Sequence, residues 1–191
     1  MKINRIIFLL IMTIILKSCS TQRVSTIVGC DYNEKQNQTD YFVLPFGSVS
    51  LPGKWEKSSY NSSSRQQFFL NRDSITTAIA FGQCNNFEFN SDRSKVGYGF
   101  VKSYYNWEKQ YFSENLGLEV NLIEADSLKN IIIFNVRGIY NTDKIDNVLL
   151  FGETNCKVSS FSVLETPKWT MELMVDFLKD IYFHKKYTTK I

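Results

Sequence analysis

Short β-type runs dominate residues 41–187, and only two stretches have the spacing of an amphipathic helix. Runs rich in β-branched and aromatic residues, bounded by turn formers, are predicted as strands around Val49 and Leu51 and at residues 66–70, 75–81, 118–123, 131–140, 148–152 and 157–164. Consecutive strands joined by short turns pair antiparallel, and each helix must bury its apolar face on the sheet. The order therefore predicts an α+β domain, an antiparallel sheet of six to seven strands flanked by two helices.

The first helix is indicated by an aromatic stripe. Phe100, Tyr104, Trp107 and Tyr111 follow one another at spacings of four, three and four, which places them on one helical face, and Gly117 is the expected stop. Such a stripe is typical of core packing. Because further aromatic residues widen it, these four residues are also the candidate partner or ligand surface.

A second helix is predicted to follow Thr166 and Pro167. A threonine followed by proline is typical of an N-cap and first helical position. The apolar residues that then share one face are Met171, Met174, Leu178 and Ile181. The helix is expected to end near His184.

An apolar run near the start of the chain ends on a cysteine. Lys2 and Arg5 precede residues 6–16, which as a helix would extend about 16 Å against a hydrocarbon core of about 30 Å. A basic start, a short apolar run and a small residue before a cut site are typical of a secretory signal peptide. We therefore predict that residues 1–18 are a signal peptide and that Cys19 begins the mature chain.

The cut site resembles the lipobox of bacterial lipoproteins. Leu16 at −3, Ser18 at −1 and Cys19 at +1 fit the pattern, whereas Lys17 at −2 departs from it. The resemblance implies diacylglycerol on the Cys19 sulfur and a fatty acyl chain such as palmitate on its amine, enough for stable anchoring in a membrane. A signal peptide cut elsewhere and a buried N-terminal helix are the alternatives.

The residues after Cys19 are mostly polar up to position 40. This composition predicts a tether over residues 19–40, between the lipid and a single domain at 41–187. An edge strand through residues 26–30 is the alternative.

Charge argues against nucleic acid as a partner. Without residues 1–18, Lys and Arg fall from 22 to 19 and equal the 19 Asp and Glu, so the formal net charge is zero. A neutral domain without basic runs lacks the positive charge that attracts a phosphate backbone.

Three cysteines remain in the mature chain after Cys19. In an exported protein, Cys30, Cys84 and Cys156 are expected to form one disulfide and leave one thiol, and their spacing does not choose the pairing. No CxxC pair occurs, so no metal site is expected, and no motif calls for a cofactor.

One phrase and one hairpin carry a family resemblance. The phrase SLPGKW at residues 50–55 and the strand pair at 67–70 and 77–81 resemble the PsbP-like fold. Photosystem extrinsic subunits, Mog-type Ran-binding proteins and DcrB-like bacterial lipoproteins share that fold. The resemblance spans about residues 46–184. It implies a scaffold that binds other proteins at a membrane surface, without a shared catalytic set.

Few residues are candidates for catalysis. The one histidine, His184, is expected at a helix end, where a cation suits the helix dipole, so nucleophilic sites lack a base. Glu124 and Asp126 could act as acid and base, but acids at a strand end are usually solvated. Gly97 and Gly99 lack the rest of a phosphate-binding loop. We therefore expect no enzymatic activity.

These observations predict a non-enzymatic lipoprotein of the bacterial cell envelope. The expected location is the outer membrane, facing the periplasm, because no acidic run follows Cys19. The expected partners are the membrane and another envelope protein, as an accessory subunit or an immunity-type inhibitor. A carrier of a small apolar ligand is the alternative, and the leaflet and oligomeric state stay open.

Overall fold

The structure is a computed structural model that describes residues 25–185 of the 191-residue chain. The strands are β1 (Ile27–Asn33), β2 (Gln38–Leu44), β3 (Gly47–Pro52), β4 (Trp55–Asn61), β5 (Gln66–Asn71), β6 (Thr76–Gln83), β7 (Glu119–Asp126), β8 (Ile131–Tyr140), β9 (Asp143–Thr154) and β10 (Lys157–Val163). The helices are α1 (Gly97–Gln110), continued by a π-helical turn at Tyr111–Asn115, and α2 (Met171–Phe183). Short 3-10 turns at Cys84–Asn86 and Glu88–Asn90 precede α1.

Seven strands form one antiparallel sheet from two meanders that meet at a seam. The strand order is β4-β5-β6-β10-β9-β8-β7, so β4 to β6 form one meander, β7 to β10 form the other, and β6 pairs with β10. Across this seam the pairs run from Thr77 opposite Val163 to Gln83 opposite Lys157. The predicted antiparallel sheet of six to seven strands with two helices is confirmed.

The face of the large sheet that we call the core face carries the larger apolar cluster. Side chains such as Phe69, Phe81 and Phe161 point to this side, where α2 and the three-stranded sheet of β1, β2 and β3 cover them. Tyr41 on β2 meets the ring of Phe69 edge to face at 5.0 Å. Burial of these aromatic side chains supplies much of the hydrophobic stabilisation.

The opposite face, which we call the groove face, carries a second apolar cluster. α1 packs there, mainly against β8 and β9, and buries Phe100, Val101 and Tyr104. The two faces alternate along each strand: Leu149 and Phe151 face α1, whereas Val148 and Leu150 lie in the core-face cluster.

Residues 27–40 do not form the predicted tether. β1 and the first three residues of β2 lie in this stretch, and the two strands pair in register, from Ile27 opposite Leu44 to Asn33 opposite Gln38. The stretch is polar because β1 is an edge strand with exposed side chains, and Ile27 is 60% exposed. The alternative of an edge strand through residues 26–30 matches the structure. Residues 19–24 lie outside the described residues.

A buried threonine links the small sheet to the large one at the SLPGKW phrase. The Thr39 hydroxyl donates to the Gly53 carbonyl at 2.9 Å and accepts from the Trp55 amide at 2.9 Å. Gly53 has φ +83°, a left-handed conformation that favours glycine. The phrase therefore forms the corner between β3 and β4, and β4 is a strand that its polar sequence did not indicate.

α1 is confirmed and is longer than predicted. It begins at Gly97, three residues before the aromatic stripe, and its π-helical continuation reaches Asn115. Gly117 has φ +67° and follows the helix end, as a C′ glycine does.

α2 begins four residues later than the predicted Thr166–Pro167 start. Thr170 is the N-cap, and its side chain accepts a hydrogen bond from the Leu173 amide at 3.4 Å. The Thr166 hydroxyl instead accepts from the Lys168 amide at 3.2 Å within the preceding turn. Met174, Leu178 and Ile181 are buried as predicted, whereas Met171 at the helix start is 41% exposed.

We predict that Gly152→Ala destabilises the domain by about 1–3 kcal/mol, the usual cost of an overpacked core. A Cβ at Gly152 would clash with the hydroxyl oxygen of Tyr182, a buried residue of α2. Urea unfolding followed by circular dichroism measures the change.

Gly82→Ala is the matched control, because a Cβ there meets no atom within 4 Å and Gly82 also lies in a central strand. Equal urea midpoints for the two variants would show that Gly152 is not needed for close packing.

Candidate functional site: an open groove beside the aromatic helix

α1 covers only part of the groove face of the large sheet, and small side chains lie in the uncovered part. On the groove face, the β6–β10 seam pairs Ala80 with Ser160 and Gly82 with Val158, and Ser162 lies one pair further along. Because these side chains are short, the surface sinks between α1 and the β4–β5 hairpin. The result is an open groove of about 820 Å³. This volume lies in the range of small-molecule sites, about 300–1,000 Å³.

The lining of the groove is mainly apolar along the sheet and aromatic along α1. Leu149, Phe151 and Val158 contribute to the floor, and Trp107 and Tyr111 to the helix wall. The end of the β4–β5 hairpin, Asn61 and residues 63–66, forms the opposite rim. The groove therefore offers a hydrophobic floor between an aromatic wall and a polar rim.

Tyr104 connects the buried part of α1 to the groove. Its ring stacks flat on Phe151, with centroids 3.4 Å apart and planes 7° from parallel, and the residue is 6% exposed. Its hydroxyl donates to Glu108 Oε1 at 2.7 Å and is also hydrogen-bonded to Ser160. Burial, followed by the nearby Glu108 carboxylate, raises the pKa of Tyr104 well above its ordinary value. The hydroxyl therefore stays protonated and remains a donor.

Glu108 is a half-buried carboxylic acid in the groove wall. Burial raises its pKa above the ordinary value of 4.5, and the Tyr104 hydrogen bond offsets part of that effect. Among the described residues, no lysine, arginine or histidine forms an ion pair with it. A second acid, Glu88, accepts a hydrogen bond from Trp107 Nε1 at 2.7 Å on the same wall.

A disulfide ties the segment before α1 to the sheet. Cys84 pairs with Cys156, which settles the pairing that the sequence left open, and half-buried Cys30 on β1 is not in a disulfide. The bond lies at the end of the seam, where the Cys84 amide also donates to the Cys156 carbonyl at 3.0 Å. The segment that begins at Cys84, of which residues 86–88 contribute to the groove wall, is thereby fixed to the turn between β9 and β10.

Asn90 fixes the rest of this segment. The side chain is fully buried, donates to the carbonyls of Cys84 at 3.0 Å and Lys95 at 3.1 Å, and accepts from the Lys95 amide at 2.9 Å. These hydrogen bonds hold together the segment between β6 and α1, whose regular structure consists of two short 3-10 turns. Phe87 and Phe89 in the same segment pack on Phe100 at 5.4 and 5.3 Å.

The four residues of the predicted aromatic surface occupy different depths. Phe100 is fully buried and belongs to the core, so it contributes no accessible surface. Tyr104 is buried beneath the groove, Trp107 is half-buried in its wall, and Tyr111 is 46% exposed at its rim. Cys19, the predicted lipidation site, lies outside the described residues.

The other candidate residues have ordinary structural roles. Glu124 forms an ion pair with Lys179 at 2.8 Å, and Asp126 accepts from the amides of Leu128 and Lys129 in a turn. His184 lies exposed at the end of α2, with Nδ1 2.8 Å from the Asp180 carbonyl oxygen. Within residues 25–185, no three His, Cys, Asp or Glu residues are grouped to hold a metal. No helix in this part is long and apolar enough to cross a membrane.

Glu108 and the small residues of the floor were not among the candidates predicted from the sequence. Glu108 follows Tyr104 by four positions, so the pair could have been placed on one helical face. Pairing of Ala80 with Ser160 joins residues 80 positions apart, and no local pattern indicates it.

We predict that breaking the disulfide destabilises the domain. The bond spans a sequence separation of 72 residues, for which the chain-entropy model gives about 4 kcal/mol. The variant C84A/C156A should unfold at lower urea concentration, and dithiothreitol should shift wild type but not this variant. Cys30→Ala serves as the control, because that cysteine is outside the disulfide. An unchanged midpoint after reduction would contradict the assignment.

We also predict that Glu108→Gln changes how stability depends on pH. The pKa of Glu108 is raised in the folded state, so the folded state binds this proton more tightly than the unfolded state does. The free energy of unfolding therefore falls as pH rises from about 4.5 through the folded pKa. Glutamine cannot ionise and can still accept from Tyr104. The variant should therefore gain stability relative to wild type between pH 4 and pH 8, measured by urea unfolding.

Glu114→Gln on the exposed side of the following turn is the control for that series. If wild type instead gains stability over the Glu108 variant as pH rises, the surroundings of Glu108 stabilise its anion, and the prediction is contradicted.

Comparison with known proteins shows a likeness of fold. No family model and no curated protein matches the chain. The solution structure of cyanobacterial PsbP (CyanoP) from Synechocystis sp. PCC 6803 aligns with a TM-score of 0.50 and 8% identity, over 91% of this chain and 99% of that one. A crystal structure from Bacteroides thetaiotaomicron VPI-5482 aligns with a TM-score of 0.46 and 9% identity, over 76% of this chain and 46% of that one. The expected resemblance is thus confirmed at the level of architecture: the chain has a PsbP-like α/β fold.

Proposed function

We propose that this chain is a bacterial envelope lipoprotein, anchored through Cys19, that acts as a non-enzymatic binding module. The observation that carries the proposal is the open groove. Its two acids, Glu88 and Glu108, accept hydrogen bonds from Trp107 and Tyr104 and are not arranged as a catalytic pair. The apolar run that ends on Cys19 supports the anchor. The outer membrane, with the domain facing the periplasm, is the proposed location.

The position of β1 in the sequence limits the distance between the domain and the proposed anchor. Seven residues, 20–26, lie between Cys19 and Ile27, the first residue of β1, so eight residue-to-residue steps join the two. A chain spans at most about 3.6 Å per residue, so the link would reach no more than about 29 Å. Under the proposal, the domain therefore works close to the lipid surface rather than at the end of a long tether.

An envelope protein is the first proposed partner. Tyr111 and Tyr140 line the groove and are 46% and 41% exposed, so aromatic rings are available at its edge. Aromatic side chains are enriched at protein interfaces. The complex could be an accessory assembly or an immunity-type pair, and both would use the same surface.

A carrier of a small apolar ligand is the second candidate. It is favoured by the volume of the groove and by its floor of Leu149, Phe151 and Val158. Close packing beside Tyr104 and Tyr111 would leave no room for a ligand and would argue against this function. Instead, the groove lies beside both residues.

The anchor is tested by replacing Cys19. Membrane fractionation and intact mass should show an acylated, membrane-bound wild type and an unacylated, soluble Cys19→Ala variant. Cys30→Ala is the matched control and should remain acylated. Soluble, unmodified wild type would contradict the proposed anchor.

Crosslinking from the same membranes should then capture an envelope protein with wild type and lose it after Tyr111→Ala.

A further inference from the structure

The groove has an uneven distribution of charge. Its α1 side carries two acids, Glu88 and Glu108, whereas the one cation among its lining residues is Arg65 on the β4–β5 turn at the opposite rim. Neither acid forms an ion pair with any residue of the described part of the chain. A ligand that enters beside α1 therefore meets negative charge that the protein itself does not neutralise.

Glu108 lines the groove and could bind such a ligand through one of its carboxylate oxygens. The Tyr104 hydroxyl binds Oε1 at 2.7 Å, and no donor within residues 25–185 binds Oε2. Because Tyr104 is stacked on Phe151 and hydrogen-bonded to Ser160, it holds the carboxyl in one place. The second oxygen is left to accept from a ligand or from water.

An aromatic side chain lies in the same wall of the groove as Glu108. Trp107 precedes Glu108, lies in the groove wall and is held by the bond from its Nε1 to Glu88. A ring face attracts ammonium groups, with tryptophan the strongest of the three aromatic residues. A carboxylate beside an aromatic wall is a combination that recognises a protonated amine, and the floor of Leu149 and Val158 offers apolar contact to whatever the amine is attached to.

We propose that the groove binds an amphiphilic amine, a small molecule with a protonated amino group and an alkyl or aryl body. The amino group donates to Glu108 and the body lies on the seam over Ala80 and Ser160. This inference rests on the second candidate function above, since it names the class of ligand that such a carrier would take. Binding involves no covalent step, and the amine enters and leaves with its proton.

The test compares three probes that differ only in the head group: decylamine, decanol and decanoate. Each is titrated by calorimetry at pH 8 into residues 19–191 with Cys19→Ala, so that no protein-bound acyl chain competes for the groove. We expect decylamine to bind at least about tenfold more tightly than decanol, because a charge-assisted hydrogen bond adds to the shared apolar contact, and decanoate to bind most weakly.

Glu108→Gln should remove the preference for decylamine and keep the binding of decanol, which also reports that the variant is folded. Glu114→Gln, on the same helical segment but outside the groove lining, should leave both affinities unchanged.

Two outcomes would overturn the inference. Equal affinity of wild type for decylamine and decanol, or tightest binding of decanoate, removes the amine preference but leaves an apolar carrier. No binding of any probe removes both the inference and the carrier function, while leaving the anchored protein-binding role to its own test.

Discussion

The pairing of β6 with β10 is the interaction on which the rest of the structure depends. It joins the two meanders into one sheet, and the Cys84–Cys156 disulfide closes the seam at one end. The faces of this seam differ in side-chain size. Phe81 and Phe161 fill the core face, whereas Ala80 and Ser160 leave space on the other. The same backbone ladder therefore supports a packed core on one side and a groove on the other.

The floor and the aromatic wall of the groove are formed by the paired strands of the seam and by the helix packed beside them, and the β4–β5 turn forms the opposite rim. α1 lies mainly over β8 and β9, and its Tyr104 ring rests on Phe151 beside Ser160. The disulfide and Asn90 hold the segment that continues the wall. A site on paired strands and a packed helix is more rigid than one on loops, so a ligand would lose little affinity to ordering of the protein.

Local patterns in the sequence were sufficient for the main elements and insufficient for the site. The aromatic spacing and Gly117 located α1, and the SLPGKW phrase led to the correct fold, because helix periodicity and turn chemistry are local properties. β1 was expected only as the alternative to a tether and β4 was missed, since edge strands expose polar side chains. The start of α2 was misplaced because two threonines compete to cap it. The groove depends on pairing between distant strands, and a single sequence does not encode that pairing in any local pattern.

The central proposal is that a ligand binds to the groove face of the large sheet and not to the core face. Methyl NMR during a decylamine titration tests this directly, because neighbouring residues of β9 and the two ends of β10 report opposite faces. Leu149 and Val158 should shift, while Leu150 and Val163 should stay unchanged. Shifts confined to Leu150 and Val163, or spread evenly over all four methyl-bearing residues, would contradict a ligand site on the groove face.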